Sequence, residues 1–249
     1  MKGLHAVITG GGSGIGAEIA RALASEGARV TIIGRSIERL QALRLASAQC
    51  VAADVSDPES VRAGFRRAVD ALGPVDVLVN NAGQVESQPF GRTTLDLWQR
   101  MLAVNLTGAF LCTQEVLGGM VERGFGRVVN VASTAALKGY AYVTAYCAAK
   151  HGVLGLTRAL ALEVARRGVT VNAVCPGYTE TEFIERAIAQ ISAKTGRSVE
   201  QARAELVAVN PQGRLVQPDE IAQAVVWLCR RESASITGQA IAVAGGEVS

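Results

Sequence analysis

The sequence predicts an α/β protein built on one doubly wound, seven-stranded parallel sheet with helices on both faces. Three observations lead there. Short β-branched apolar runs recur along the 249 residues, segments of helical composition separate them, and the runs are continuously apolar instead of alternating. An alternating strand has one wet face. A continuous one needs cover on both, which crossover helices supply.

The strands fall at 5–9 (HAVIT), 29–33 (RVTII), 50–55 (CVAADV), 75–80 (VDVLVN), 127–132 (RVVNVA), 169–174 (VTVNAV) and 240–244 (AIAVA). A helix start is written in SDPE at 56–59, with Ser56 as the expected N-cap, Pro58 in the first turn and Glu59 closing a capping box. No repeat or low-complexity linker divides the chain, so one domain over 1–249 is expected. The rhythm breaks at 181–210, two helical pieces joined at KTGRS between the sixth and seventh strands. That length suits a cover over a site, and equally an ordinary surface hairpin.

Bulk properties narrow the function classes. Hydrophobic residues make up 49%, and no uninterrupted apolar run approaches the about 18 residues of a membrane span, so no membrane insertion is expected. The net charge of +3 comes from 25 basic and 22 acidic residues spread along the chain, a solvated surface and not a nucleic-acid stripe. Cys50, Cys112, Cys147, Cys175 and Cys229 lack CxxC spacing and read as core residues in a reducing compartment. With only His5 and His151, no metal site is expected. The first turn arrives by residue 10, which leaves no room for a signal peptide and points to the cytoplasm.

The stretch AVITGGGSGIGAEIARALASEGARV sets a glycine-rich turn between a strand and an amphipathic helix. Gly10, Gly14 and Gly16, with Ser13 and Ile15 in the same turn, suit a dinucleotide pyrophosphate, because glycine lets the backbone approach and the helix N-terminus offers unpaired N–H groups. After the second strand come Gly34, Arg35 and Ser36. An NAD site usually has a carboxylate here for the ribose 2′-hydroxyl; an arginine suits a 2′-phosphate instead. NADP(H) is therefore favoured over NAD(H), against the alternative that Arg35 is a solvent-exposed helix-start residue.

Further along, VLVNNAG (77–83) and VNLTG (104–108) carry asparagines at the ends of apolar runs, where they also serve simply to satisfy backbone groups. Ser133 leaves the fifth strand at the carboxyl edge, where ligands of this architecture bind; Tyr146 follows thirteen residues later, and Lys150 lies one helical turn beyond it. With TGGGSGIG (9–16), Asp54-Val55, NNAG (80–83), PGYTET (176–181) and a terminal GG (245–246), the whole chain resembles the short-chain dehydrogenase/reductases, in their compact single-domain branch with a Rossmann-type fold. The resemblance implies a catalytic tetrad of Asn105, Ser133, Tyr146 and Lys150. It sets Asp54, Asn81, Ala82 and Gly83 on the adenosine side of the cofactor and Pro176, Gly177 and Thr181 near its nicotinamide, with Val55 and Thr179 also among the cofactor-binding residues. Tyr146 and Lys150 would touch the cofactor as well.

Ketone reduction by hydride transfer builds negative charge on oxygen, so the site needs a donor and a proton source there. Tyrosine, with a free pKa of about 10, is a weak acid, and the Lys150 ammonium is expected to favour its ionised form. A lysine seven residues after a tyrosine, as in enoyl-reducing relatives, is absent; those positions are Cys147, Ala149 and Val153. Carbonyl chemistry is expected. Ser133 and Tyr146 would hold the substrate oxygen, while Tyr140 and Tyr142, in the loop before the helix, either contact substrate or merely pack.

The substrate stays open between a 3-oxoacyl or 3-hydroxyacyl thioester and a simple hydroxy-ketone, cyclic or steroid-like alcohol. Lys194, Arg197 and Arg203 in the 181–210 segment suit either an acyl-carrier phosphate or a solvated helix face. Ala148, Ala149, Gly152 and Gly155 permit close helix packing, against the chain's own core or, as the resemblance implies, in a homotetramer. A regulator that keeps the fold without catalysis, an NAD(H)-dependent alcohol dehydrogenase and a nucleotide-sugar epimerase are the competing readings.

Overall fold

The structure, a computed structural model, describes residues 1–46 and 48–248. Its strands are β1 (His5–Thr9), β2 (Arg29–Gly34), β3 (Ala48–Ala52), β4 (Val77–Asn80), β5 (Gly126–Val131), β6 (Val169–Pro176) and β7 (Ala240–Val243). They form one sheet in the order β3-β2-β1-β4-β5-β6-β7, with every pairing parallel. The chain runs outward from β1 to β3, then returns to lay β4 on the other side of β1. The loops leaving β1 and β4 therefore part at a switch point, where this architecture opens a crevice.

The helices are α1 (Gly14–Ser25), α2 (Ile37–Ala42), α3 (Pro58–Leu72), α4 (Leu95–Leu102), α5 (Gly108–Glu122), α6 (Thr144–Val164), α7 (Glu182–Thr195), α8 (Val199–Val207) and α9 (Pro218–Cys229). Alternate strand residues feed two cores. Ala6, Ile8, Val77 and Val79 pack under Ile19 and Leu23 of α1 and Ile221 and Val225 of α9. Val7, Leu78, Val128 and Val171 face Phe65 of α3 and Val116 and Met120 of α5. Each fully buried Val, Leu, Ile, Phe or Met side chain contributes about 1.5–3 kcal/mol, so both faces hold the sheet and a one-residue slip would exchange them.

Two local expectations need correction. The third strand ends at Ala52, because the chain turns at Asp54: its carboxylate accepts from the Ser56 N–H at 2.9 Å and its own N–H donates to Ser60 Oγ at 2.9 Å. Asp54 and Val55 therefore stand beyond the ladder. The cap of α3 is Asp57, whose carboxylate accepts from the Glu59 N–H, and not Ser56. Ser56 instead donates its hydroxyl to Asp54 at 2.7 Å.

His5 is buried at the start of β1. Its Nδ1 lies 2.7 Å from the Gly73 carbonyl and its Nε2 2.9 Å from Thr31 Oγ1. Burial holds its pKa below the ordinary value.

Leu95–Glu122 forms one continuous helical run of 28 residues, long and apolar enough by length and composition to cross a membrane. In this fold Met101, Cys112, Val116 and Met120 of that run are buried in the interior. Its middle, Ala103–Thr107, widens into a π turn.

Helices α7 and α8 form the hairpin expected at 181–210, around a small core of Ile184, Ile188, Ala202 and Leu215. Two of its cations are paired: Arg203 donates to Glu185 within the hairpin and to Glu180 just before it, and Arg197 pairs with Glu205 at 2.6 Å. The small residues of α6 separate in role. A Cβ on Gly152 would stand 2.7 Å from Leu106 of the π turn, whereas Gly155 faces open space.

Candidate active site

The glycine turn leaves β1 at the switch point. A Cβ on Gly16 would overlap the Gly10 carbonyl and Asn81 Nδ2, so only glycine fits. Gly14, at φ +51°, faces Thr181 across the crevice. Ser13 precedes α1 without a side-chain cap, which leaves the first-turn N–H groups of Gly14, Ile15 and Gly16 aimed outward. The loops after β1 and β4 are stitched together: Thr9 Oγ1 accepts from the N–H groups of Asn81 and Ala82 at 3.1 and 3.0 Å, and Asn81 Nδ2 donates to the carbonyls of Thr9 and Gly10. Gly83 follows, where a Cβ would lie 2.9 Å from Asn105 Oδ1.

Arg35 is exposed at the end of β2. Burial raises the Asp54 carboxyl, but hydrogen bonds from Ser56 and the Arg35 charge outweigh it, and Asp54 sits below the ordinary carboxylate range. Ser36, expected at the cofactor, caps α2 by accepting from the Arg39 N–H.

Four side chains converge at the carboxyl edge of β4 and β5. Ser133 follows β5 and accepts from the Ala135 N–H at 3.1 Å. Its hydroxyl faces the Tyr146 phenol and favours the ionised form. Lys150, only 4% exposed, donates to the Val131 carbonyl at 2.9 Å. Its Nζ lies 5.6 Å from the Tyr146 ring centroid. Asn105 lies in the π turn, where its Nδ2 donates to the carbonyls of Gln84 and Met101 and its Oδ1 accepts from the Gln84 N–H, pinning the β4 loop. Between Asn105 and Lys150 lies a cavity of about 10 Å³, also lined by Asn80, the volume of about one water. Asn80 Oδ1 has no hydrogen-bond partner among the described residues.

The electrostatics differ from the expected activation of Tyr146 by Lys150. Burial pushes the Tyr146 phenol up to about 12, against the opposing pull of Ser133. It also pulls Lys150 down to about 8. Lys150 is turned toward a backbone carbonyl, so desolvation decides both values. Tyr146 is thus held as a protonated donor.

The chain after Pro176, expected on the nicotinamide side, returns toward the glycine turn, where Thr181 faces Gly14. The Gly177 N–H donates to the Val243 carbonyl at 3.1 Å, Thr179 Oγ1 donates to the Gly177 carbonyl at 2.9 Å, and Thr181 leads into α7. Tyr140 points its hydroxyl at Thr134 Oγ1, 2.7 Å away, and at the Glu247 carboxylate. Tyr142 turns outward, 63% exposed, at φ +67°. Two neighbours are missing from the sequence reading. Tyr178 packs edge to face on Tyr140, with centroids 6.3 Å apart, and Glu247 reaches in from the C-terminal tail. Tyr178 stands inside PGYTET, a usable signal; nothing local marks Glu247.

Among the described residues no group of three or more His, Cys, Asp or Glu is placed to hold a metal ion. A switch-point crevice with a glycine cradle and a Ser-Tyr-Lys set at its edge defines a dinucleotide-dependent oxidoreductase site. The profile of the short chain dehydrogenase family matches residues 4–192, and the chain belongs to that family. It is 43% identical to a putative ketoacyl reductase of Streptomyces coelicolor, over 97% of this chain and 95% of the relative. It is 40% identical to an acetoacetyl-CoA reductase of Rhizobium meliloti, over 97% of each chain. Among solved structures, a variant of actinorhodin polyketide ketoreductase with NADPH superposes with a TM-score of 0.94 at 43% identity, covering 98% of this chain and 97% of that one.

Proposed function

We propose that the protein is an NADPH-preferring reductase that interconverts a ketone and a secondary alcohol, with a 3-oxoacyl thioester as substrate. The observation that carries this reading is the Tyr146 phenol beside Ser133 and one turn from a buried Lys150. The glycine cradle, the uncapped start of α1 and Arg35 beside Asp54 fit a dinucleotide carrying a 2′-phosphate. Bound there, the cofactor supplies the hydride.

The chain's own residues do the rest. Ser133 donates to the carbonyl oxygen and Tyr146 O–H gives it the proton as charge develops, which completes the alcohol. Lys150 restores the phenol proton, and the cavity between Asn105 and Lys150 suits a water that connects it to solvent. Asn105 holds the β4 loop in place through its amide. Asp54, Val55, Asn81, Ala82 and Gly83 line the adenosine side; Pro176, Gly177, Thr179 and Thr181 line the nicotinamide side.

The ketoacyl and acetoacetyl-CoA reductases among the relatives support the thioester substrate. The chain is one domain whose α7–α8 hairpin covers the substrate side, a role supported by its own small core and by Thr181, at the start of α7, standing 3.2 Å from where a Cβ on Gly14 would lie. Exposed Leu95, Phe110 and Leu162, the last 82% exposed, support a subunit interface on α4, α5 and α6, in line with the homotetramer that the family resemblance implies. Five free cysteines support a reducing, cytoplasmic setting.

A panel of acetoacetyl-CoA, cyclic ketones and simple hydroxy-ketones, run with NADPH and with NADH while following absorbance of the reduced nicotinamide, tests this. Turnover of the thioester with NADPH is expected. Failure to reduce any ketone, with NADPH bound, would overturn the reading.

A further inference from the structure

We infer that Glu247 is a positioning residue: it ties the C-terminal tail to the loop that carries Tyr140 and so fixes the wall beside Tyr146, an inference that rests on the ketone site proposed above.

The Glu247 side chain is 1% exposed. Its Oε1 lies 3.1 Å from Lys138 Nζ, which also reaches the Glu247 carbonyl at 3.4 Å, and the Tyr140 phenol donates to the same carboxylate. Lys138 sits 5.0 Å from the Tyr140 ring centroid, so charge and ring close on one another. Glu247 Oε2 would stand 2.9 Å from a Cβ on Gly177, which seats the carboxylate against the loop after β6. The residues before it are moulded to the exit of the α7–α8 hairpin. A Cβ on Gly245, at φ +60°, would overlap the Asn210 amide, and one on Gly246 would touch Pro211. Three segments that border the crevice therefore meet on one short tail.

A carboxylate taken out of water is expensive unless paired. Nothing in the proton-transfer chemistry calls for this one, since its partners are Lys138 and Tyr140 and not Ser133, Tyr146 or Lys150. What it does is occupy the Tyr140 hydroxyl, shared with Thr134, and so fix the ring at right angles to Tyr178, with an interplanar angle of 79°. Tyr140 then offers a substrate its ring and not its hydroxyl. An apolar or aromatic group beside the ketone is the chemistry such a wall accepts.

The test compares wild type, Glu247→Gln, Glu247→Ala, Tyr140→Phe and the Glu247→Ala/Tyr140→Phe double variant on acetoacetyl-CoA and a cyclic ketone, with hydrogen–deuterium exchange of residues 134–142. For Glu247→Ala we expect KM to rise about tenfold with kcat and NADPH Kd changed by less than about twofold, partial rescue in Glu247→Gln, and a double variant no worse than Glu247→Ala alone. Exchange in 134–142 should rise in Glu247→Ala and Glu247→Gln. Additive losses, a fall in kcat at constant KM, or unchanged exchange in 134–142 would each overturn the inference. If wild type reduces neither ketone, the functional reading fails by itself, and the exchange measurement still decides whether Glu247 holds the loop. Glu247→Gln, nearly isosteric, keeps the test available if the alanine variant does not fold.

Discussion

Replacing Lys150 by methionine should make the protein more stable and inactive. The lysine is buried, and burial pulls its pKa from 10.5 to about 8. Proton counts set the sign. Between about 8 and 10.5 the unfolded chain binds a proton that the native chain does not, so this group's contribution to stability rises with pH across that window and is lost as pH falls through about 8. Below the window the native state carries a buried charge costing about 3 kcal/mol, at about 1.4 kcal/mol per pH unit. Methionine keeps the length and removes the charge. It also removes the hydrogen bond to the Val131 carbonyl, a loss of about 1 kcal/mol. The net expectation at about pH 7 is a gain of about 2 kcal/mol, shrinking toward zero at about pH 9.5. Urea unfolding of both proteins at the two pH values, with ketone reduction assayed alongside, measures it. A methionine variant no more stable than wild type at the lower pH, or a difference that does not shrink on raising the pH, would refute the desolvation argument.

Other perturbations separate the remaining roles. Tyr146→Phe removes the proton donor and keeps the ring, so kcat should fall by about a hundredfold or more, with NADPH Kd by fluorescence titration nearly unchanged. Arg35→Ala should weaken NADPH by about ten- to a hundredfold, the worth of a charge-assisted hydrogen bond, and leave NADH affinity alone; equal losses for both would remove the 2′-phosphate role. His5, held neutral by burial below its ordinary 6.5, should make the protein lose stability as pH falls through that value. His5→Gln should flatten the acid limb of a plot of melting temperature against pH.

The parts of the site that can be read from sequence are those set by short-range geometry. The glycine turn sits between a strand and a helix within a couple of dozen residues, and Tyr146 and Lys150 share a face because a helix repeats every 3.6 residues. The end of β3 is hidden, since the apolar run continues past Ala52 while hydrogen bonds at Asp54 turn the backbone away. Ser56 and Asp57 are both good caps by type, and only the direction of the chain selects Asp57. Arg203 reads as a free cation because its partners Glu180 and Glu185 lie 23 and 18 residues away. The expected pull of Lys150 on Tyr146 omits desolvation, which spacing cannot reveal. Glu247 joins Tyr140 across 107 residues, a separation with no local pattern to carry it.

The stitch between the loops after β1 and β4 bears on how the protein comes into being. Thr9 and Asn81 are 72 residues apart, and β4 must dock on β1 before Asn81 can brace the glycine turn. A nascent chain that has released only α3 already displays the full glycine fingerprint, yet it lacks the floor that shapes it. Cofactor capture should therefore begin late in synthesis, as the two halves of the sheet join across their long loop.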